Sequence, residues 1–387
     1  MRKNQLVILA VVTALFAAAA GYLLYERQAR VITAVAAGER LFPGLIDEVN
    51  RVATVEIRNS DGTFTAIRRD GGEWVIEEKH GYPAKVAKIR ELILALANAR
   101  ILDKRTSNAE LYAQLQVEPI DSEDAKSGQV ILKAENGEQM AGLVIGKRRL
   151  RGRFGAGTDE LYVRKIDAEQ SWVADDIPSV LGGLNQWLDR DLVNVARARV
   201  RRVTNSRPEG DQLVLRRPSP DASDVAVEDL PKNAKLDQFR ANDVASALEW
   251  LILDNVKPAD DLAASTIEGY SRYETFDGLI IDVTVRTAGK PGTKDGEPEA
   301  DRWIVLDAGF NPEGVSEAAP AEPAPATEFP QETAKDDGGL KAPEAVGENA
   351  AKLAERFKGW AYKVPDWKIE VFLRRQADLI DKENSGS

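Results

Sequence analysis

The sequence predicts an α+β protein: an N-terminal transmembrane helix followed by two related antiparallel-sheet-plus-helix units. Three observations carry this. Leu6 to Tyr25 is an unbroken run of twenty residues without a charge. Val52 to Asp103 passes through three short alternating segments and then changes to helical spacing. A weaker version of the same order returns between Arg199 and Val256.

At 1.5 Å per residue, a helix over Leu6–Tyr25 is about 30 Å long, the hydrocarbon thickness of a bilayer. Basic residues precede it (Arg2, Lys3), Glu26, Arg27 and Arg30 follow it, and Tyr22 and Tyr25 stand where an interfacial aromatic belt would lie. The run reads as an uncleaved signal-anchor. Ala18-Ala19-Ala20 keeps a cleavable signal peptide open as the alternative. Residues 1–5 are then a cytoplasmic N-terminus, 6–25 the anchor and 26–50 a tether, with the bulk of the chain exported. The positive-inside count is close to a tie, so orientation rests on the usual export pattern of a first anchor.

Residues 51–193 form the first unit. Val52, Val55 and Ile57 open a strand, Asn59-Ser60-Asp61-Gly62 makes a hairpin turn, and Phe64, Ala66 and Ile67 return. Arg69-Asp70-Gly71-Gly72 is the next turn and Trp74-Val75-Ile76 the next strand. Pro83 suits the first position of a helix. Val86, Ile89, Ile93 and Leu96 follow as one apolar stripe. Ile101-Leu102 leaves it as a short strand. Gln129–Lys133, Met140–Ile145 and Leu161–Arg164 are further strands, with Asn136-Gly137 as a hairpin turn. Gly152–Thr158 is a loop, and Leu181–Leu192 a short helical element with Trp187 and Leu188 on one side.

Residues 194–310 form the second unit. Asn205-Ser206 matches Asn59-Ser60, and Leu213–Arg217 matches Thr65–Arg69. A helix is expected over Gln238–Leu253, and Ile280–Val285 pairs with Trp303–Leu306. Residues 311–348, rich in Ala, Pro and Glu, cannot bury enough apolar surface to order and read as a disordered insertion. Residues 349–383 complete the second unit, with a strand at Gly359–Tyr362 and a helix from Pro365 carrying Ile369, Phe372, Leu373, Gln376 and Ile380 along one side.

Composition narrows the chemistry. The 387 residues carry a net charge of −11, which opposes binding to a nucleic-acid phosphate backbone. There is no cysteine and one histidine, His80. Disulfides and thiolate chemistry are therefore outside the repertoire, and multi-histidine metal sites and histidine-based triads are nearly excluded by counting, with His80 alone left to serve one. No cofactor is implied. Gly142–Lys147 has glycines too close together for a phosphate-binding loop, and Gly155-Ala156-Gly157 lacks a third glycine; both read as turns. His80 reads as an exposed loop residue. The acidic pairs Asp175-Asp176, Asp189/Asp191 and Asp260-Asp261 read as caps or solvated groups, with acid–base or cation-binding work as the alternative.

One cluster stands out in so acidic a chain: Lys147, Arg148, Arg149, Arg151 and Arg153. It is a candidate contact for anionic lipid headgroups or an acidic partner, against the plainer reading of a solvated hairpin tip. Arg197, Arg199, Arg201 and Arg202 are placed to extend it. Trp74, Trp172 and Trp187 are candidate stacking platforms for a ligand.

The anchor, Trp74-Val75, Gly81-Tyr82-Pro83-Ala84 with its amphipathic helix, Val144-Ile145-Gly146-Lys147, Leu161-Tyr162-Val163-Arg164 and the closing Gly359-Trp360-Ala361-Tyr362 with Pro365 come in an order that resembles the family catalogued as domain of unknown function 4340. The resemblance covers roughly Val49 to Ile380; the chain departs from the family pattern at Lys85, where an acidic residue is common. It implies a single-pass bacterial inner-membrane protein with its bulk in the periplasm, often encoded beside gliding-motility-like transporters of the ATP-binding-cassette class. It supplies no catalytic residue. The expected function is that of a non-enzymatic accessory or scaffold protein, bound to the membrane and to a protein partner in an envelope or transporter complex. A carboxylate-dependent envelope enzyme acting on glycans and a periplasmic ligand-binding module are the alternatives.

Overall fold

The computed structural model describes residues 38–59, 64–70, 72–149, 160–175, 177–178, 180–288, 301–317 and 339–380. The expected anchor Leu6–Tyr25, the first part of the tether and the Gly152–Thr158 loop lie outside them. Among the described residues no helix is long and apolar enough to cross a membrane. The chain is α+β, mostly antiparallel sheet with a few helices, and divides after Leu188 into two compact units.

The strands of the first unit are β1 (Val52–Arg58), β2 (Phe64–Asp70), β3 (Glu73–Ile76), β4 (Tyr82–Pro83), β5 (Ile101–Lys104), β6 (Gly128–Ala134), β7 (Gln139–Arg149), β8 (Glu160–Lys165) and β9 (Ser171–Ala174). They form one sheet in the order β4-β3-β2-β1-β6-β7-β8-β9-β5, and every neighbouring pair is antiparallel. Strand β6 shows why the alternation works. Val130, Leu132 and Ala134 are buried while the residues between them are half-buried, so one side of the pleat meets the core. A bulge interrupts the β1–β6 pairing between Val52 and Thr54.

Three helices accompany this sheet: α1 (Leu45–Glu48), α2 (Val86–Asn98) and α3 (Tyr112–Leu115). Helix α2 buries Ile89, Leu92, Ile93, Leu96 and Ala97 on one side. Each large side chain so covered contributes about 1.5–3 kcal/mol. The helix begins at Val86, not at Pro83 as expected. Tyr82 and Pro83 instead pair with Ile76 and Val75 as an edge strand, and the Ala84 amide donates to the Trp74 carbonyl at 2.8 Å. A proline has no N–H to give to a ladder and is tolerated here because β4 is an edge strand. The stretch expected to be helical before Leu192 is a short 3-10 turn, Leu184–Trp187, followed by strand. Gly142 and Gly146 do not make turns either; both lie inside β7. A Cβ on Gly146 would come within 2.3 Å of the Leu115 carbonyl oxygen, so glycine is required by the close approach of the chain after α3.

The second unit contains β10 (Asp191–Val193), β11 (Val200–Ser206), β12 (Gln212–Arg216), β13 (Ala226–Val227), β14 (Leu251–Ile252), β15 (Asn255–Pro258), β16 (Thr266–Thr275), β17 (Leu279–Ala288), β18 (Asp301–Phe310) and β19 (Trp360–Lys363). Strands β10 and β14 form a two-stranded ribbon, and the rest form a sheet in the order β13-β12-β11-β16-β17-β18-β19-β15. The β11–β16 pairing is bulged between Val200 and Arg202.

Its helices are α4 (Gln238–Ala245), α5 (Pro343–Phe357) and α6 (Asp366–Phe372). Asp237 caps α4 by accepting from the Arg240 amide at 3.1 Å. The helix stops at Ala245 rather than running to Leu253. A turn follows in which Trp250 takes a left-handed φ of 50°, and Leu251 then joins the ribbon. The Ala/Pro/Glu-rich stretch expected to be disordered over 311–348 is ordered at both ends: Pro312–Gly314 is a 3-10 turn, and Pro343 opens α5. Val346, Ala350 and Phe357 bury one side of that helix, which is how an Ala-rich segment finds enough apolar contact to order. Residues 318–338 lie outside the described set. Helix α6 ends at Phe372, so Gln376 falls in a separate 3-10 turn and not on its face.

Candidate interaction face

Lys147, Arg148 and Arg149 are consecutive in β7, and a strand turns consecutive side chains to opposite faces. The basic run is therefore split. Lys147 and Arg149 share one face; Arg148, also exposed, takes the other. Arg151 and Arg153 lie outside the described residues.

On the Lys147 face, β8 next to β7 and β5 beyond β9 supply partners. Glu160 and Tyr162 alternate along β8, while Asp103 lies in β5 and Arg105 just after it. The Arg149 guanidinium lies 3.6 Å from the Glu160 carboxylate and 3.9 Å from that of Asp103. Arg105 reaches the same Asp103 at 2.9 Å. The Tyr162 ring is flanked by the Lys147 ammonium at 6.0 Å and the Arg105 guanidinium at 5.7 Å. Three cations thus meet two carboxylates around one half-buried ring. The mutual neutralisation holds the face in one geometry, and one positive charge is left over. Chemically this suits recognition of an anionic surface.

The sequence pointed to the lysine and arginines. It did not single out Asp103, Arg105, Glu160 or Tyr162, because the sheet order that brings β5, β8 and β7 together is not a local property. The i, i+2 spacing of each pair was the one available signal.

The other candidates are dispersed. Arg199, Arg201 and Arg202 each engage partners within the second unit. Arg199 is buried against Asp277, Arg201 donates to the Gly314 carbonyl at 2.7 Å, and Arg202 to Glu228 at 3.3 Å. Asp175 accepts from the Arg100 amide, and Asp189 pairs with Arg356 at 2.9 Å. Asp260 and Asp261 lie in the first turn of a 3-10 helix. His80 is exposed at the end of another 3-10 turn, with φ of 56°. Trp74 and Trp187 are buried, and the Lys88 ammonium lies 4.6 Å over the Trp187 ring, so neither offers a face for stacking. Among the described residues no group of three or more His, Asp or Glu side chains is placed to hold a metal ion.

Buried charged groups elsewhere brace the backbone. Arg164 donates to the carbonyls of Val117 and Ala168 at 2.9 and 3.1 Å. Arg217 donates to Val200 and Ala222 at 3.2 and 2.5 Å. Lys368 donates to Ala247 and Glu249 at 2.7 and 2.8 Å, and burial pushes its ammonium down to about 8.

No curated protein and no solved structure matches the chain at a significant level. One family does: the one described as "Domain of unknown function (DUF4340)" matches residues 74–268, half of the chain, running from β3 of the first sheet into β16 of the second. The chain therefore belongs to the DUF4340 family.

Proposed function

We propose that this protein is a non-enzymatic accessory or scaffold component of the bacterial cell envelope. Leu6–Tyr25 would serve as its single-pass inner-membrane anchor and the two units would stand in the periplasm, in contact with a transporter of the ATP-binding-cassette class. The observation that carries this reading is the use made of the buried charges. Arg164, Arg217 and Lys368 end on backbone carbonyls, and Arg199 on a buried carboxylate. Such groups stiffen a framework; none is aimed at a reaction.

We also read the two units as copies of one design. The order β3-β2-β1-β6-β7-β8-β9-β5 corresponds strand by strand to β13-β12-β11-β16-β17-β18-β19-β15. Thr54 faces Arg68 and Arg202 faces Arg216, the same register 148 positions apart. Both first strands are bulged at the same point, Val52/Thr54 and Val200/Arg202. On this alignment Asn205 answers to Ile57, not to Asn59. A doubled rigid framework presents two sheets' worth of surface for contact, which suits an assembly subunit.

Affinity purification of the full chain from native membranes in mild detergent is the test. Recovery of a stoichiometric transporter partner is expected, and recovery of the chain alone would defeat the proposal. Reversing charge at Lys147, Arg148 and Arg149 together should weaken that capture. Alkaline phosphatase, which needs disulfides and so works only outside the reducing cytoplasm, should be active when fused after Ser387, and an expressed but inactive fusion would reverse the topology.

A further inference from the structure

Between α5 and the β10–β14 ribbon lies a cleft of about 290 Å³. One wall is a stripe of α5, Asn349, Leu353 and Arg356, next to the stripe that packs on the sheet. The other comes from Asp191 and Asn194 at and just after β10, and Trp250 lines the same cleft.

Trp250 is the unusual member. Its side chain is more than half exposed, at 55 %, while Trp303, Tyr362 and Phe372 of the same unit are buried. Its φ of 50° is left-handed, a conformation that costs a residue with a Cβ free energy and persists only when its surroundings hold it. The holding contact is present: the Trp250 amide donates to Asn194 Oδ1 at 3.1 Å. The backbone that carries the exposed indole is thus held by a residue of the cleft itself.

The lining also specifies the kind of ligand. Asp189 is closed by Arg356 at 2.9 Å, and Arg199 by Asp277 at 2.9 Å. Asp191 and Lys341 are left, with opposite signs. The site is therefore neutral, so it does not select an ion by charge. Planar amides, a carboxylate and a guanidinium offer donors and acceptors in several directions, and Trp250 and Leu353 offer apolar faces. A neutral ligand with hydroxyls around its edge and an apolar face on its ring matches all of these; that is a pyranose. The volume lies at the low end of small-molecule sites, ~300–1,000 Å³, and suits one sugar ring.

We propose that this cleft is a saccharide-binding site, with Trp250 as the stacking platform and Asn349, Asp191 and Arg356 as hydroxyl partners. The proposal does not depend on the scaffold function, and partner capture is not its readout.

The test is titration of the detergent-solubilised full chain with glucose, galactose and N-acetylglucosamine, followed by saturation-transfer NMR on the sugar and by tryptophan fluorescence. At least one sugar should bind saturably in the millimolar range. Trp250→Ala should weaken it about tenfold, the equivalent of ~1.4 kcal/mol, with an unchanged melting temperature because the side chain is exposed. Trp250→Phe should retain part of the binding, and Asn349→Ala should lose several-fold. No saturable response from any of the three sugars would overturn the proposal. So would equal binding by Trp250→Ala, or tighter binding of acetate or choline than of any sugar.

Discussion

Arg199 places its Nε 3.0 Å and its Nη2 2.9 Å from the same carboxylate oxygen of Asp277, with both side chains closed off from solvent. Asp277 also accepts from the Thr275 hydroxyl at 2.5 Å and from the Lys341 amide at 2.9 Å. It therefore ties the chain entering α5 to the turn between β16 and β17. Removing one member leaves the other charge buried and unmatched. Asp277→Ala or Arg199→Ala should each destabilise the second unit by about 3–5 kcal/mol in urea denaturation. The double variant Arg199→Met/Asp277→Leu should recover most of that loss, since the desolvation of both charges disappears with them.

Arg51, just before the bulged strand β1 as Arg199 is just before the bulged strand β11, is exposed and pairs with Glu48 at 3.0 Å and Glu138 at 3.2 Å. Solvent screens such pairs. Arg51→Ala is expected to cost under about 1 kcal/mol, and a loss comparable to that of Arg199→Ala would contradict this account.

Lys368 supplies a pH-dependent prediction. Burial lowers its folded-state value to about 8, against the opposing pull of Asp243 and Glu249, while in an unfolded chain lysine titrates near 10.4, roughly. Between these values the unfolded chain holds a proton that the folded chain has released, so stability contributed by this residue rises with pH across that window. Below about 8 both states are protonated and the term is flat. The stability of the protein minus that of Lys368→Met, measured by urea denaturation from pH 7 to pH 10, should increase only above about pH 8. A difference independent of pH would remove the argument.

Two turn glycines separate conformational strain from crowding. Gly137 and Gly278 have φ of 83° and 90° in the turns β6–β7 and β16–β17. A Cβ on Gly137 meets nothing within 4 Å, whereas one on Gly278 meets the Asn311 carbonyl oxygen at 2.7 Å. Gly137→Ala should cost about 1 kcal/mol, from backbone conformation alone. Gly278→Ala should cost about 1–3 kcal/mol more, from overpacking, as should Gly146→Ala, where the obstacle is again backbone. Thermal melts of the three variants rank them.

Arg164 tests whether charge or shape braces the first unit. Its guanidinium stacks 4.8 Å from the Tyr112 ring centre and forks to carbonyls on two segments. Arg164→Lys keeps the charge but loses the planar fork, and should destabilise by about 1.5–3 kcal/mol in urea denaturation. A neutral outcome would mean that charge alone suffices.

Much of the sheet was readable because alternation is a local property. Val130 and Leu132, the Asn136-Gly137 turn and the Ile89–Leu96 stripe of α2 announce their elements without reference to anything distant. The two-residue strand at Tyr82–Pro83 was not readable, nor was the placement of Gly142 and Gly146 inside β7. Each depends on what another segment brings: β3 for the first, Ile166 and Leu115 for the glycines.

The same division runs through the sites. Sequence alone determined the family, the α+β class, the apolar Leu6–Tyr25 run, and the lack of cysteine and of all but one histidine, because composition and period survive without a fold. Tertiary structure decided that Arg149 faces Glu160 and Asp103 and Lys147 the Tyr162 ring while Arg148 turns away, that Arg199 is sealed against Asp277, and that Trp250 stands in the open. Those outcomes depend on strand order and on contacts across tens of residues, where the partner of a charge or a ring is chosen by packing and not by its neighbours in the chain.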